Sequence, residues 1–140
     1  MTTTLPCVLL VEDNADDETL LREAFRRARV GHPLDVARDG IEALARTLHV
    51  AADRRPALVL LDLKLPRLSG FEVLERLRGD ARTRTLPVVV LSSSQECADI
   101  ERSYASGANS YLVKPLDFSE LQAMIGDVTR YWLRHNEAAQ

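Results

Sequence analysis

Acidic, hydroxyl and ammonium side chains each follow a short apolar run in this 140-residue sequence. In chain order they are Glu12 and Asp13 after residues 8–11, Asp62 after 58–61, Ser92 after 88–91, and Lys114 after 111–113. Short apolar runs without alternation are typical of strands buried on both faces of a parallel sheet. Because ligands bind at the carboxyl ends of such strands, we expect these side chains to share one pocket.

Carboxylates crowded into one pocket repel one another unless a cation is present. Mg²⁺ is a hard cation that binds one or two protein carboxylates together with water and phosphate oxygens. A carboxylate, a metal site, a hydroxyl and a lysine together suit an aspartyl phosphate. In that chemistry Asp62 attacks a phosphoryl group, while Ser92 and Lys114 bind its oxygens. We expect Glu12 and Asp13 to hold the Mg²⁺ ion.

Each of these residues also has a purely structural interpretation. Asp62 could end its strand in a turn, and Glu12 and Asp13 could cap the following helix. Ser92 could be an ordinary loop hydroxyl, and Lys114 could be a solvated residue at a strand end. Their occurrence after separate apolar runs favours the shared site, because independent coincidences multiply.

The elements that would position these residues follow from hydrophobic spacing. Strands are predicted at residues 8–11, 34–37, 58–61, 88–91 and 111–113, and helices at 16–28, 41–48, 71–78, 96–106 and 119 to about 135. Alternating strands and helices predict an α/β protein with a parallel sheet. We expect a flavodoxin-like doubly wound (βα)5 fold with a five-stranded sheet of order 2-1-3-4-5, in which the first and third strands end together.

Composition limits the possible functions. The chain has the length of one domain, and 46% hydrophobic with 28% charged residues is typical of a globular protein. A formal net charge of -3 offers no electrostatic case for direct nucleic-acid binding, and no apolar run reaches the roughly 20 residues of a membrane span. No secretory signal is visible, and Cys7 and Cys97 lack disulfide or metal spacing, so we expect a cytoplasmic protein with reduced thiols.

Several motifs resemble those of the receiver domains of two-component response regulators, and the similarity covers nearly the whole chain. They are VLLVEDN, VLLDLKLP with the following SG, PVVVLSSS and SYLVKP. The resemblance implies a single receiver domain over residues 1–140, with a core at about 6–135 and no output domain. It implies these roles: Asp62 the phosphoacceptor, Glu12 and Asp13 the acidic pair, Lys64 a Mg²⁺ ligand through its backbone carbonyl, Ser92 the switch hydroxyl, Lys114 the phosphate-binding lysine, and Tyr111 the aromatic that moves on activation. It also implies a cis Lys114–Pro115 bond.

A narrower resemblance is to the single-domain regulators that partner bacterial phytochromes. It rests on EAF, DGIEAL, RPALVLLDLKLP, ANSYLVKPLDF and the terminal YWL. It implies a histidine kinase partner, specifically a bacteriophytochrome, and signalling through the face of the fourth helix, fifth strand and fifth helix. We expect a homodimer through that face, whose apolar residues are Ile100, Tyr104, Tyr131 and Trp132. Alternatively, Tyr111 is a fixed, partly buried aromatic and Trp132 folds back onto the domain.

Other function classes fit less well. A haloacid-dehalogenase-like phosphohydrolase needs a second Asp two residues after the nucleophile, where this chain has Lys64. A flavodoxin-like cofactor binder needs a Gly-rich phosphate loop after the first strand, and the sequence has none there. A phosphorylation-independent interaction module, or a phosphate sink for the kinase, is the alternative to signalling by phosphorylation. On the receiver interpretation the chain is not an enzyme but a signalling protein that assists its own phosphorylation and dephosphorylation.

Overall fold

The structure is a computed structural model that describes residues 5–139. Its strands are β1 (Val8–Val11), β2 (Leu34–Ala37), β3 (Leu58–Leu61), β4 (Val88–Ser92) and β5 (Ser110–Val113). Its α-helices are α1 (Ala15–Arg27), α2 (Gly40–Ala45), α3 (Gly70–Arg78), α4 (Cys97–Ser106) and α5 (Phe118–Arg130). All strand pairs are parallel, and the order β2-β1-β3-β4-β5 confirms the predicted topology.

The sheet carries a hydrophobic core on each face, because β1, β3 and β4 are buried along their whole length. Successive side chains of a strand point to opposite faces, so Leu9 packs in one core and Leu10 in the other. Helices α2 and α3 cover the face of Leu9, and α1 and α5 cover the face of Leu10, where Phe25 and Ile125 are buried. Helices therefore cover both faces of the sheet, and polar groups lie at the ends of the strands.

Polar caps fix where the helices after β1 and β3 begin. The Asn14 side chain accepts a hydrogen bond of 2.9 Å from the Asp17 amide, and the Ser69 hydroxyl accepts one of 3.3 Å from the Glu72 amide. Such caps satisfy backbone N–H groups that have no partner within the helix. Helix α4 differs, since Glu96 at its start makes no side-chain cap hydrogen bond.

The C-terminal end of α4 is anchored by Arg78 of α3. The Arg78 guanidinium donates to the Gly107 carbonyl, the Asn109 side-chain oxygen and the Leu86 carbonyl, each at 2.8 Å. Burial lowers the pKa of Arg78 from its usual value. Gly107 ends the helix with φ of +114°, a left-handed conformation that favours glycine. One side chain thus joins α3, α4 and the start of β4.

Helix α2 is shorter than predicted. It ends at Ala45 instead of Leu48, because the amides of Leu48 and His49 both donate to the Leu44 carbonyl in a turn. Leu48 is nevertheless buried, which explains why its spacing resembled that of a helix. A 3₁₀ helix, Ala52–Arg54, lies in the segment for which the sequence predicted only a polar connection.

Helix α5 also ends earlier than predicted. The α-helix stops at Arg130 rather than near His135, and a π-helical turn, Tyr131–His135, continues the chain. The Asn136 amide closes this wider turn with a hydrogen bond of 2.7 Å to the Tyr131 carbonyl. The apolar side chains of this turn still pack on the core, so hydrophobic spacing alone does not reveal the change of helix type.

Two further findings concern the described chain as a whole. Across residues 5–139 no helix is both long and apolar enough to cross a membrane. Every peptide bond in the same residues is trans, so the expectation of a cis Lys114–Pro115 bond is wrong. The trans form is the lower-energy isomer of an X–Pro bond, by about 0.5–1 kcal/mol.

Candidate functional site

Glu12, Asp13 and Asp62 lie together at the carboxyl edge of the sheet. One oxygen from each carboxylate lies within 4.8 Å of the other two. Strands β1 and β3 are adjacent, with Val11 opposite Leu61, so the residues that follow them begin at the same level. Glu12 is only 1% exposed, Asp62 is half-buried and Asp13 is exposed. The acids therefore form a cluster that runs from the protein interior to the solvent.

Lys114 supplies the positive charge in this pocket. Its Nζ donates to Glu12 Oε1 at 2.5 Å and to Asp17 Oδ2 at 3.2 Å, and it lies 3.7 Å from Asp62 Oδ2. The Lys114 amide donates to the Ser92 carbonyl at 2.8 Å, which ties the lysine to the end of β4. The lysine side chain thus reaches from β5 to the acids that follow β1 and β3.

Burial of the ion pair shifts the pKa values of both partners. Burial raises the pKa of Glu12, and the hydrogen bond and charge of Lys114 offset that rise only in part. Burial by itself would lower the pKa of Lys114, but the hydrogen bond to Glu12 and the charge of Asp62 raise it above its usual value. Lys114 is therefore a cation throughout the neutral range and acts as the counter-ion of a buried carboxylate.

Asp62 is held in place by its own backbone and by a close helix. Its amide donates to the Val11 carbonyl at 3.1 Å, and its Oδ1 accepts a hydrogen bond of 2.8 Å from the Leu63 amide. Gly70, at the start of α3, packs against this backbone so tightly that a Cβ would lie 2.5 Å from the Asp62 carbonyl oxygen. One carboxylate oxygen is thus fixed by an amide, while the other lies nearer the ammonium of Lys114.

Ser92 and Tyr111 meet at Ser94, in the loop between β4 and α4. The Ser92 hydroxyl is buried and accepts a hydrogen bond of 3.1 Å from the Ser94 amide. The Tyr111 hydroxyl donates to the Ser94 carbonyl at 2.8 Å, and its half-buried ring packs against the core under α2 and α3. The Ser94 hydroxyl in turn donates to Asp99 Oδ2 of α4 at 2.6 Å. Ser94 therefore connects the end of β4 to the first turn of α4.

Two of the four predicted interface residues line one groove. An open groove of about 630 Å³ runs between β5 and α5, and Tyr131 and Trp132 are among its lining residues. Ile100 and Tyr104 lie on α4, outside that lining. Trp132 is half-buried against the core under α1 and α5 and contacts Tyr131 edge to face at 5.0 Å. This packing agrees with the alternative in which Trp132 folds back onto the domain.

The acidic cluster fits a divalent metal ion. It offers carboxylate oxygens only, and these are the ligands that hard cations prefer. Lys64 follows Asp62 by two residues and its side chain is exposed, so its bulk does not fill the pocket. The residues that would hold such an ion are Glu12, Asp13 and Asp62.

Three polar residues of this region were missed by the sequence reasoning. Asp17 lies in the first turn of α1, four residues after Asp13, and this closeness in sequence to the acidic pair was the available signal. Ser94 and Asp99 form their hydrogen bond across the start of α4, where no cap motif marks it. All three residues make hydrogen bonds between different elements of the fold, and a local sequence pattern does not predict such contacts.

The sequence matches a known protein family over most of its length. Residues 8–126 match the response regulator receiver domain. A curated relative, the probable methanogenesis regulatory protein FilR2 of Methanothrix harundinacea, is 41% identical over 133 residues, which cover 94% of this chain and 86% of that protein. The match thus includes every strand of the sheet.

Solved structures of response regulators, one of them a phytochrome response regulator, are similar to nearly the whole chain. The phosphorylated cyanobacterial phytochrome response regulator RcpA has a TM-score of 0.86 and 36% sequence identity, covering 96% of this chain and 99% of its own. The Mn²⁺-bound form of the response regulator Rcp1, a protein of Synechocystis, has a TM-score of 0.84 and 32% identity, covering 97% of this chain and 100% of its own. With its sheet order and its acidic edge, this chain belongs to the response regulator receiver domain family.

Proposed function

We propose that this chain accepts a phosphoryl group from a histidine kinase onto the carboxylate of Asp62, in a Mg²⁺-dependent reaction. The observation that carries the proposal is the pocket itself, in which Asp62 lies with Glu12 and Asp13 and 3.7 Å from the ammonium of Lys114. A nucleophilic carboxylate beside a fixed cation is the arrangement that phosphoryl transfer needs, because catalysis there depends on position and charge.

The chain's own residues divide the work of the transfer. An Asp62 oxygen forms a bond to phosphorus as the bond from phosphorus to the kinase imidazole nitrogen breaks, and the electron pair of that bond stays with the nitrogen. Lys114 and Ser92 donate hydrogen bonds to the phosphoryl oxygens, and the Lys114 charge offsets theirs. A Mg²⁺ ion held by Glu12, Asp13, Asp62 and the backbone carbonyl of Lys64 supplies further positive charge when bound. The chain acts as a signalling protein that assists its own modification.

Phosphoryl labelling followed by intact-protein mass measurement tests the central step. The native chain is incubated with acetyl phosphate and Mg²⁺, beside Asp62→Asn and the control Asp53→Asn, whose carboxylate is exposed and lies outside the cluster. We expect a gain of one phosphoryl mass in the native chain and the control, and none in Asp62→Asn or without Mg²⁺. An unlabelled native chain, or labelling that survives Asp62→Asn, would contradict the proposal and favour a phosphorylation-independent interaction module.

We further propose that the phosphodonor is a bacteriophytochrome histidine kinase. The support is the similarity to RcpA, a cyanobacterial phytochrome response regulator. A cytoplasmic location goes with this proposal, because the kinase draws its phosphoryl group from intracellular ATP. Radiolabelled phytochrome kinase should lose its label to the native chain within minutes and keep it in the presence of Asp62→Asn. Equal retention of the label with both proteins would reject this class of kinase.

We propose that the output face comprises α4, β5 and α5, and that a second copy of the chain binds there. The supporting features are the open groove between β5 and α5 and the exposure of Tyr131 and Tyr104, at 52% and 49%. Phosphorylation would act on this face through Ser92 and Tyr111, whose hydrogen bonds converge on the loop that precedes α4. Apolar groups of this size at a surface are typical of protein contacts.

Light scattering at micromolar concentration tests the homodimer. Ala123 is exposed and lines the groove, so Ala123→Arg should place a charge in the contact and shift the protein to the monomer. Ala51→Arg, at an exposed position outside the groove, should leave the mass unchanged. A native chain that is monomeric with and without phosphoryl label would contradict the dimer.

A further inference from the structure

Asp17 is an acid of α1 that reaches the pocket without belonging to the acidic cluster. Its Oδ2 accepts a hydrogen bond of 3.2 Å from Lys114 Nζ. It shares with Lys114 the lining of a cavity of about 170 Å³ between α1 and the loop after β5. The Asp17 side chain is 42% exposed, whereas that of Lys114 is 13% exposed. The lysine is thus held between a buried acid, Glu12, and a partly solvated one.

Two hydrogen bonds hold the ammonium of Lys114 on the α1 side of the pocket. An ammonium has three donors, and Nζ directs two of them to Glu12 at 2.5 Å and Asp17 at 3.2 Å. Asp62 Oδ2, at 3.7 Å, lies beyond hydrogen-bonding distance. A phosphoryl oxygen needs the ammonium at about 2.7–2.9 Å. The two hydrogen bonds therefore hold Nζ towards Glu12 and Asp17, and Asp62 receives the charge of the ammonium but no hydrogen bond from it.

The two acids differ in how readily they can release the lysine. Glu12 is 1% exposed, so loss of its cation would leave a buried charge without a partner. Asp17 is partly solvated, and water can replace the lysine as its hydrogen-bond partner. The contact with Asp17 is therefore the one that Lys114 can release more readily.

We propose that Asp17 is a positioning residue that holds the ammonium of Lys114 on the α1 side of the pocket and competes for it with the phosphoryl group on Asp62. This inference rests on the proposed function, since it assumes that Asp62 carries the phosphoryl group. Asp17 sets how much of the lysine's charge the phosphoryl group receives. It also makes the first turn of α1 sensitive to the state of Asp62, because the contact exists only while the phosphoryl group is absent.

Removal of the Asp17 charge should strengthen binding of a phosphoryl analogue. In Asp17→Asn the amide keeps the size of the side chain but competes weakly for the ammonium. The affinity for beryllofluoride at saturating Mg²⁺ should rise about two- to fivefold, which is the range that a partly exposed ion pair contributes. Asp17→Glu keeps the carboxylate and should bind beryllofluoride with an affinity nearer to that of the native chain.

Two controls separate competition for Lys114 from a general change in charge. Asp16→Asn removes an exposed carboxylate from the same turn, and among the described residues Asp16 makes no ion pair with Lys114. In a Lys114→Gln background the Asp17→Asn substitution should have no effect on beryllofluoride affinity, since the competing donor is gone. A merely structural role of Asp17 would not disappear in that background.

Calorimetric titration with beryllofluoride reads all of these variants without requiring phosphoryl transfer. A two- to fivefold gain in Asp17→Asn, absent in Asp16→Asn and in the Lys114→Gln background, supports the inference. An unchanged or weaker affinity in Asp17→Asn, or a gain that persists without Lys114, overturns it while native binding leaves the proposed function standing. A native chain that binds no beryllofluoride overturns both.

Discussion

The buried carboxylate of Glu12 depends on one side chain, Lys114, for a compensating positive charge. Its carboxylate is buried, its pKa is raised by burial, and Lys114 provides the counter-ion at 2.5 Å. A buried ion pair adds little net stability compared with apolar residues, but loss of one partner leaves a charge in a medium that solvates it poorly. The pair is therefore a functional feature that the fold must tolerate.

Lys114→Met should lower the free energy of unfolding by about 3 kcal/mol, because the Glu12 carboxylate loses its cation. The double variant Glu12→Gln with Lys114→Met should recover part of that loss, since no buried charge remains. Urea unfolding without Mg²⁺ measures both. Lys64→Met is the matched control, because Lys64 is exposed, and it should change stability by no more than about 0.5 kcal/mol. A double variant as unstable as the single one would contradict this account.

At the scale of elements, the start of α3 determines where Asp62 lies. A Cβ on Gly70 would come within 2.5 Å of the Asp62 carbonyl oxygen and 2.8 Å of Leu63 Cα, so helix and loop touch through backbone atoms. The Gly70 amide also donates to the Leu63 carbonyl at 2.8 Å. Helix α3 therefore supports the backbone of the loop that carries Asp62.

Gly70→Ala should destabilise the fold by about 1–3 kcal/mol, since the added methyl group forces α3 away from the loop. It should also slow phosphoryl labelling of Asp62, because the displaced loop carries the carboxylate. Thermal unfolding and the intact-mass assay measure the two effects. At Gly31 a Cβ would meet nothing within 4 Å, so Gly31→Ala should be close to neutral in both. Equal behaviour of the two variants would show that α3 can shift at no cost.

Strands and helix ends differ in how far the sequence determines them. The runs Val8–Val11 and Leu58–Leu61 are buried on both faces, so their unbroken apolar sequence predicts the first and last residue of each strand. The rule that parallel strands end at one edge then predicts that Asp62 lies near Glu12. Helix ends depend on which turn hydrogen bonds form, and the apolar spacing through Leu48 and Trp132 continues past the last α-helical residue.

The contacts made by Lys114 show what a sequence pattern does not contain. Its partner Asp17 is 97 residues away in the chain, and their meeting depends on how α1 packs beside the loop after β5. No local periodicity encodes that packing angle. The same applies to Ser94, three of whose hydrogen-bonding partners come from β4, α4 and β5.

At the scale of the whole molecule, carboxylates paired with arginines contribute to the change in the free energy of unfolding as the pH falls. Hydrogen bonds from Arg26 and Arg27 lower the pKa of Glu23 to about 2, and the hydrogen bond from Arg22 lowers the pKa of Glu18. A carboxylate whose folded-state pKa is lowered stabilises the fold above its unfolded pKa of about 4.3, and this stability is lost as the pH falls through the folded value. Glu12 acts in the opposite sense, because its folded-state pKa is raised.

The stability difference between the native chain and Glu23→Gln should therefore be largest near pH 6 and shrink as the pH falls from about 5 towards 2. Urea unfolding at several pH values measures this difference, which solvent screening keeps small because the pair is on the surface. Glu101→Gln, at an exposed position of α4, is the control and should show a nearly constant difference. A Glu23→Gln difference that does not change with pH would mean that the arginine contacts are not maintained in solution.

Arg78 fixes the C-terminal end of α4, so the helix can tilt about that end. The guanidinium fixes Gly107 and Asn109, and Arg102 stacks on Phe71 of α3 with 4.0 Å to the ring centroid, so these contacts with α3 lie towards the C-terminal end of α4. At 1.5 Å per residue the helix is about 15 Å long, and a displacement of about 1 Å at its N-terminal end tilts it by about 4°. Cys97 lies at that end of α4 and is exposed. A small shift of the loop at Ser94 therefore displaces Cys97 more than the residues near Gly107.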